Sequence, residues 1–419
     1  MQLSIKNRLI FMNFLQFFIW GSWLITIGAY WLQTKHWDGK SFGAIFSTMG
    51  IASLFMPTIM GVVADRWLSA QKLYALLHFF GGVMLTTIPF ATNENWMFWL
   101  MLITMIFYMP TISLSITIAY TSLSSNKLNL TKQYPPIRVW GTVGFIVALW
   151  TVSLLGFEQS ENQFYVAAVA SFLLSIYSVT LPKCPPPGKG IKESFLNILG
   201  LKAFALLKDR KLALFFLFSM LLGASLQLTN AYGDAFLHDF VDNPLYKDLL
   251  TVKYPAIVMS ISQISETVFI LFIPFFLHRL GIKKVMLLSM IAWVFRFGLL
   301  AYSDPGSGLW MIILSCIIYG MAFDFFNVSG SLFIESETDS KIRASVQGLF
   351  MMMVNGVGAI FGSLVSGYLI DVFFTSANGT RDWEGIWLSF AAYSFVVAVL
   401  FAIFFKHKHN SIEFQDVNH

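Results

Sequence analysis

Long apolar runs separated by short polar breaks fill almost the entire chain. A helix that spans a bilayer needs about 20 mostly apolar residues. Twelve runs reach that length, at residues 9–32, 43–63, 71–91, 96–120, 137–157, 163–182, 212–236, 254–277, 284–303, 308–331, 344–370 and 385–406. Because a helix satisfies its own backbone hydrogen bonds in lipid, the pattern predicts an all-α membrane protein with twelve transmembrane helices.

One long polar stretch interrupts this pattern, at residues 183–211, between the sixth and seventh runs. It predicts two six-helix bundles, residues 1–182 and 212–406, joined by a linker and followed by a tail at 407–419.

Composition supports the same class of protein. The chain of 419 residues is 57% hydrophobic and only 12% charged, whereas an average soluble domain carries about 25% charged residues. The net charge of +5 does not indicate a nucleic-acid partner. Cys184 and Cys316 lack metal-ligand spacing and cannot form a disulfide framework. We expect a lipid-embedded monomer without a metal or cofactor.

Basic residues in the loops predict the orientation. With the N-terminus inside, most Lys and Arg residues fall in cytoplasmic segments. The opposite face receives Lys35, Lys40, Lys247, Lys253 and Arg381. Both termini and the linker are therefore predicted to be cytoplasmic.

A loop motif recurs at half the chain length. The segment GVVADRWLSAQK follows the second run, and PFFLHRLGIKK follows the eighth. Internal duplication of a helical unit is typical of transporters. Gly61, Asp65 and Arg66 resemble the loop motif of the major facilitator superfamily, which implies that fold and a role for these residues in conformational change. The alternative is that chance basic residues follow the orientation rule.

Three charged residues are counted clearly inside the runs: Glu266, Arg296 and Asp324. Placing such a charge at the middle of the membrane costs about 2.5–3.5 kcal/mol on insertion scales, so these side chains normally face a cavity or a partner. Polar and aromatic residues recur at helical spacing on four runs, as Arg138, Thr142 and Phe145; Gln227 and Asn230; Gln263 and Glu266; and Tyr319, Phe323 and Asp324. A rise of 1.5 Å per residue places most of them near the midplane, where secondary transporters bind substrate.

Some polar residues fit this layer less well. Arg138 lies near the cytoplasmic end of its run, where it either closes the site from below or extends to the headgroups. Arg296 lies about 9 Å from the outer end of its run, so we do not pair it with Asp324 and interpret it as structural. His78 is interpreted as a packing residue. Any single Gln or Asn can also join helices.

The chemistry of the layer suits a nucleoside. Carboxamides present a donor beside an acceptor, carboxylate and guanidinium groups bind hydroxyls, and aromatic faces stack on a flat ring. A sugar would use the polar groups but fewer of the aromatic ones. A proton-coupled sugar or oligosaccharide symporter on the same fold therefore remains the alternative. A membrane enzyme would need a nucleophile–base pair or a metal cluster, neither of which the sequence contains.

Five segments resemble bacterial nucleoside permeases of the nucleoside:proton symporter family. They are FLQFFIWGSWLITIGAYW (14–31), PPIRVWGTVGF (135–145), FSMLLGASLQLTN (218–230), MSISQISETVFIL (259–271) and YGMAFDFFNVSGS (319–331). The resemblance implies proton-driven nucleoside uptake across the bacterial inner membrane by alternating access. It also implies a substrate site at Arg138, Thr142, Phe145, Gln227, Asn230, Gln263, Glu266, Tyr319 and Phe323.

Two carboxylates are candidates for carrying the proton. Burial favours the neutral form of a carboxyl group, so a carboxylate near the midplane can accept a proton. Glu266 is expected also to bind ribose hydroxyls. Asp324 lies about 24 Å from the outer end of its run, which makes it the candidate for proton release toward the cytoplasm. Gly358 and Gly362 on the eleventh run are predicted to permit close helix packing.

Overall fold

The computed structural model describes residues 4–186, 207–338 and 343–407. Most of the predicted linker and the tail beyond residue 407 lie outside these ranges. The regular structure described is helical, apart from one isolated bridge between Thr375 and Arg381.

Twelve α-helices of nine or more residues, together with shorter helical segments, make up most of the described residues. They are α1 (Ile5–Gly21), α2 (Gly39–Arg66), α3 (Ala70–Thr87), α4 (Glu94–Ser125), α5 (Leu130–Leu154), α6 (Asn162–Ser178), α7 (Arg210–His238), α8 (Ile261–Ala301), α9 (Leu309–Glu337), α10 (Arg343–Met351), α11 (Ala359–Leu369) and α12 (Trp383–Phe404). Polar side chains cap several N-termini. Asp38, for example, accepts a bond from the backbone N–H of Ser41 at 2.6 Å, and Asn93 accepts one from Trp96 at 2.8 Å.

The helices follow the predicted apolar runs with local differences. Within the described residues, nine helices are long and apolar enough to cross a membrane, and one of these, Pro255–Ala301, contains the eighth and ninth runs. Gly281 separates those two runs with a φ of 76°, a backbone conformation that glycine adopts readily. The sixth run forms the shorter α6, Asn162–Ser178.

Two predicted runs are less regular than expected. The prediction of one uninterrupted helix for the first run is wrong. The helix α1 ends at Gly21, and a turn separates it from the helical residues that end with the π-helical segment Tyr30–Thr34. At the end of α1, the backbone N–H and the hydroxyl of Ser22 both donate to the carbonyl oxygen of Phe18, at 3.0 and 2.8 Å. In the eleventh run, π-helical residues Met352–Gly358 separate α10 from α11.

The chain divides into two compact units. The first contains residues 1–199 and 230–235, and the second contains residues 200–229 and 236–419. In the first unit α1 packs on α5 and α6, and α4 packs on α2 and α3. In the second unit α8 packs along α9 and α12.

Glycines set the closest helix approaches in the second unit. A methyl group on Gly362 would lie 2.5 Å from Cα of Ala224 on α7, which confirms the predicted packing role of this glycine. A methyl group on Gly320 of α9 would lie 2.5 Å from the carbonyl carbon of Ser265 and 2.7 Å from the backbone nitrogen of Glu266 on α8. The Ser265 hydroxyl also donates to the carbonyl oxygen of Ile317. The two backbones therefore meet beside Glu266.

We predict that Gly320→Ala lowers the free energy of unfolding by about 1–3 kcal/mol, because the added methyl forces α8 and α9 apart. Gly298→Ala is the matched control, since a methyl group there has no neighbour within 4 Å and alanine favours a helix over glycine by about 1 kcal/mol. Thermal unfolding of the detergent-purified variants measures both. Equal stability of the two variants would contradict the close packing of these helices.

Candidate functional site

In the first unit the predicted site residues lie on α5, close to α1. The guanidinium carbon of Arg138 lies 4.0 Å from the ring centroid of Phe17, in a cation–π contact. A methyl group on Gly141 would lie 2.6 Å from the same ring, and one on Gly21 would lie 2.5 Å from the carbonyl oxygen of Phe145. Small residues therefore let α1 approach the segment that carries Arg138 and Phe145.

The three α5 side chains differ in exposure. Phe145 is buried, whereas Arg138 and Thr142 are half-buried. Arg138 also interacts electrostatically with the hydroxyls of Tyr108 and Tyr134. The guanidinium thus rests on an aromatic ring of α1 and keeps part of its surface accessible.

A buried polar network fixes α1 within this unit. The Oε1 atom of Gln16 accepts a bond from the Tyr74 hydroxyl at 2.6 Å and lies 2.9 Å from Nε2 of His78. The Nε2 atom of Gln16 donates to the Thr111 hydroxyl at 2.8 Å. His78 also accepts or donates at Ser171, 3.4 Å away. His78 therefore joins helices, and Gln16 anchors the residue directly before Phe17.

In the second unit, three predicted site residues each carry a buried polar atom that has no hydrogen-bond partner among the described residues. These atoms are Oε1 of Gln227 on α7, Oε1 of Gln263 on α8 and Oδ2 of Asp324 on α9. Buried polar groups are almost always satisfied by protein, water or ligand. The same helices carry further atoms of this kind, on Trp293, Ser315 and Ser329. Gln227, Gln263 and Asp324 are distinguished from them by the site that the sequence predicts.

Aromatic rings accompany these polar atoms. The rings of Tyr319 and Phe323 lie nearly parallel, at 4°, with centroids 6.0 Å apart. Trp293 meets Tyr319 edge-on at 5.9 Å. Tyr319 is buried and Phe323 is half-buried, so Phe323 keeps a partly accessible ring face. Glu266 is half-buried, and its charge, like that of Asp324, interacts with Tyr319.

Asn230 lies on α7 three residues beyond Gln227 and is half-buried. It falls in the segment of α7 that groups with the first unit. The structure thus brings together Gln263, Glu266, Tyr319, Phe323 and Asp324 on α8 and α9. Arg138, Thr142 and Phe145 form a separate set on α5, and one layer that combines both sets remains a prediction.

The loop motif lies at the end of α2. Gly61, Asp65 and Arg66 form its last turns, and both charged side chains are exposed. Its role in conformational change remains a prediction.

Two buried charged residues have surroundings that the sequence did not predict. Arg296 is only 1% exposed, and its guanidinium carbon lies 4.7 Å from the ring centroid of Tyr319. The sequence interpretation of Arg296 as a structural residue did not include Tyr319, because this contact depends on the reach of an arginine side chain. Asp234 is a further charged residue inside the seventh run and is fully buried. Its place near the end of that run kept it out of the count.

Comparison with known proteins identifies relatives along nearly the whole chain. The family model for the nucleoside H⁺ symporter matches residues 2–410. The xanthosine permease of Escherichia coli K12 is 52% identical over 409 residues, covering 97% of each protein. The nucleoside permease NupG of the same organism is 48% identical over 408 residues, again covering 97% of each.

A solved structure of a related transporter also matches this chain. The crystal structure of a mutant of the nucleoside transporter NupG superposes with a TM-score of 0.93 at 48% identity and covers 96% of this chain and 100% of that one. The fold is that of a major facilitator transporter, as the sequence predicts.

We predict that Gln16→Leu destabilises the protein by about 2–4 kcal/mol, because it leaves the hydroxyl of Tyr74 and the ring of His78 buried without their shared acceptor. Asn13→Leu is the control. Asn13 is equally buried on α1, but its amide donates only to Leu9 of its own helix, at 2.9 Å. Thermal unfolding should separate the two variants by several degrees. Similar losses in both would show that the network contributes little.

Proposed function

Because the chain belongs to the nucleoside H⁺ symporter family, we propose that it takes up nucleosides together with protons by alternating access. It is a transporter rather than an enzyme. We place it in the bacterial inner membrane as a monomer with both termini cytoplasmic, which the distribution of basic residues supports.

The observation that carries this proposal is the set of buried, unpartnered polar atoms on α7, α8 and α9. A nucleoside supplies what they lack. Its base carries ring nitrogens and exocyclic groups that pair with the amides of Gln227 and Gln263. Its flat ring stacks on an aromatic face such as that of Phe323. A free sugar would leave this aromatic surface unused.

The remaining roles follow from charge and position. Glu266 accepts bonds from ribose hydroxyls, which bind well to an ionised acceptor. Tyr319 orients the neighbouring rings, and Asn230 extends the row of amides on α7. On α5 of the first unit, Arg138, Thr142 and Phe145 offer a substrate a guanidinium, a hydroxyl and a ring. A midplane site at the interface of two repeats is the general design of secondary transporters.

Proton coupling is assigned to Asp324, with Glu266 as a second carrier. Asp324 is only 5% exposed on a membrane-spanning helix, so its ionised form is strongly disfavoured unless it is compensated. Protonation removes that charge. The neutral site then permits the two six-helix halves to move around bound substrate, and proton release on the other side resets the carrier.

The direct test is uptake of labelled uridine by cells that lack their own nucleoside carriers, with and without a protonophore. We expect the protonophore to abolish accumulation. Adenosine and xanthosine should compete, whereas ribose, uracil and lactose should not. Xanthosine belongs in the panel because the xanthosine permease and NupG are almost equally similar to this chain. Competition by lactose without uridine uptake would favour the sugar symporter instead.

We predict that Asp324→Asn abolishes proton-driven accumulation but preserves uridine binding, because an amide cannot cycle a proton yet occupies the same volume. Glu266→Gln should instead weaken uridine binding by about tenfold, the loss expected for one charge-assisted hydrogen bond. Calorimetric titration measures binding, and vesicle uptake with an imposed pH gradient measures coupling. Proton-dependent uptake that persists in Asp324→Asn would transfer the coupling role to Glu266.

A further inference from the structure

One buried arginine joins all three helices that carry the second unit's substrate residues. Arg296 lies on α8 beyond the Gly281 break. Its Nη1 atom donates to the carbonyl oxygen of Ser315 on α9 at 2.7 Å. Its Nε atom donates to the Thr229 hydroxyl on α7 at 3.3 Å. Nη1 also lies 3.5 Å from the Ser262 hydroxyl, in the part of α8 that precedes the break.

Each of these contacts falls beside a proposed substrate residue. Thr229 is two positions from Gln227, and Ser262 directly precedes Gln263. Ser315 is about one helical turn before Tyr319, and the guanidinium itself lies over the Tyr319 ring at 4.7 Å. The arginine therefore contacts side-chain hydroxyls on α7 and α8, and a backbone carbonyl and an aromatic ring on α9.

The chemistry of this residue argues against a simple role in joining helices. Hydroxyls and amides join membrane helices without a charge, and a fully buried guanidinium is costly. Within the described ranges Arg296 makes no salt bridge, and its bonding partners are hydroxyls and a carbonyl. A guanidinium offers what a neutral group lacks, because it donates in several in-plane directions while its face stacks on an aromatic ring.

From these contacts we propose that Arg296 is the positioning residue of the nucleoside site. It holds Gln227, Gln263 and Tyr319 at fixed spacing so that the two amides and the aromatic surface meet one base. The inference rests on the proposed function and deepens it by naming the group that fixes the base-binding half of the site.

The test compares Arg296→Lys and Arg296→Gln with wild type in purified, full-length carrier. We expect both variants to bind uridine about tenfold more weakly, because a lysine keeps the charge but loses the planar, multidirectional donor. In vesicles the loss should raise KM more than it lowers the maximal rate. Tyr393→Phe is the structural control. It removes a 2.7 Å bond from the Tyr393 hydroxyl to the carbonyl oxygen of Leu221 in the same unit and should alter stability without altering KM.

A double-mutant cycle tests whether Arg296 affects uridine binding by orienting the ring of Tyr319. If Arg296 acts by orienting this ring, Tyr319→Leu combined with Arg296→Gln should weaken binding little more than Tyr319→Leu alone. Should the arginine variants fail to fold, Thr229→Val and Ser262→Ala each remove one partner of the guanidinium and should raise the Kd for uridine about two- to threefold.

The outcomes are separable. The positioning role would be overturned if folded Arg296→Lys lost stability, as Tyr393→Phe does, but bound uridine with the wild-type Kd. In the fallback series, an unchanged Kd in both Thr229→Val and Ser262→Ala would overturn it. Wild-type carrier that binds no nucleoside would instead overturn the proposed function, and the wild-type titration reveals this before any variant is compared.

Discussion

The need to satisfy polar groups in an apolar interior constrains every part of this structure. A polar side chain buried within a membrane-spanning helix destabilises the protein unless it forms a hydrogen bond or ion pair. In the first unit Gln16 meets this requirement with bonds to three side chains on two other helices. In the second unit Gln227, Gln263 and Asp324 each keep a buried atom without a partner among the described residues. Gln16 thus meets the constraint inside the protein, and three residues of the proposed site leave it unmet among the described residues.

Close packing at glycines sets how near these helices approach one another. Gly320 lets α9 approach the backbone of α8 beside Glu266, and Gly362 lets the α11 segment approach α7. Arg296 then bonds across α7, α8 and α9. In the first unit, Gly21 and Gly141 let α1 bring Phe17 under Arg138. In both units, small residues permit the contact between helices, and an arginine lies over an aromatic ring.

Hydrophobic pattern predicted the helices well because lipid allows few other backbone solutions. It did not predict the break after Gly21, because Trp23, Leu24 and Ile25 in the turn are as apolar as the helix before them. Helical spacing singled out Gln263, Glu266, Tyr319 and Asp324 as site residues, and their roles remain predictions. It missed the contact of Arg296 with Tyr319 and the pairing of His78 with Gln16. Such contacts depend on side-chain reach and on helices distant in sequence.

Coupled movement of uridine and protons is the central claim, and purified carrier in vesicles that enclose a pH-sensitive dye tests it most directly. Uridine added outside at equal starting pH should acidify the interior, and an equal concentration of ribose should leave the pH unchanged. Uridine that enters without acidifying the interior would contradict the account, because it would make the protein a nucleoside channel or uniporter rather than a proton symporter.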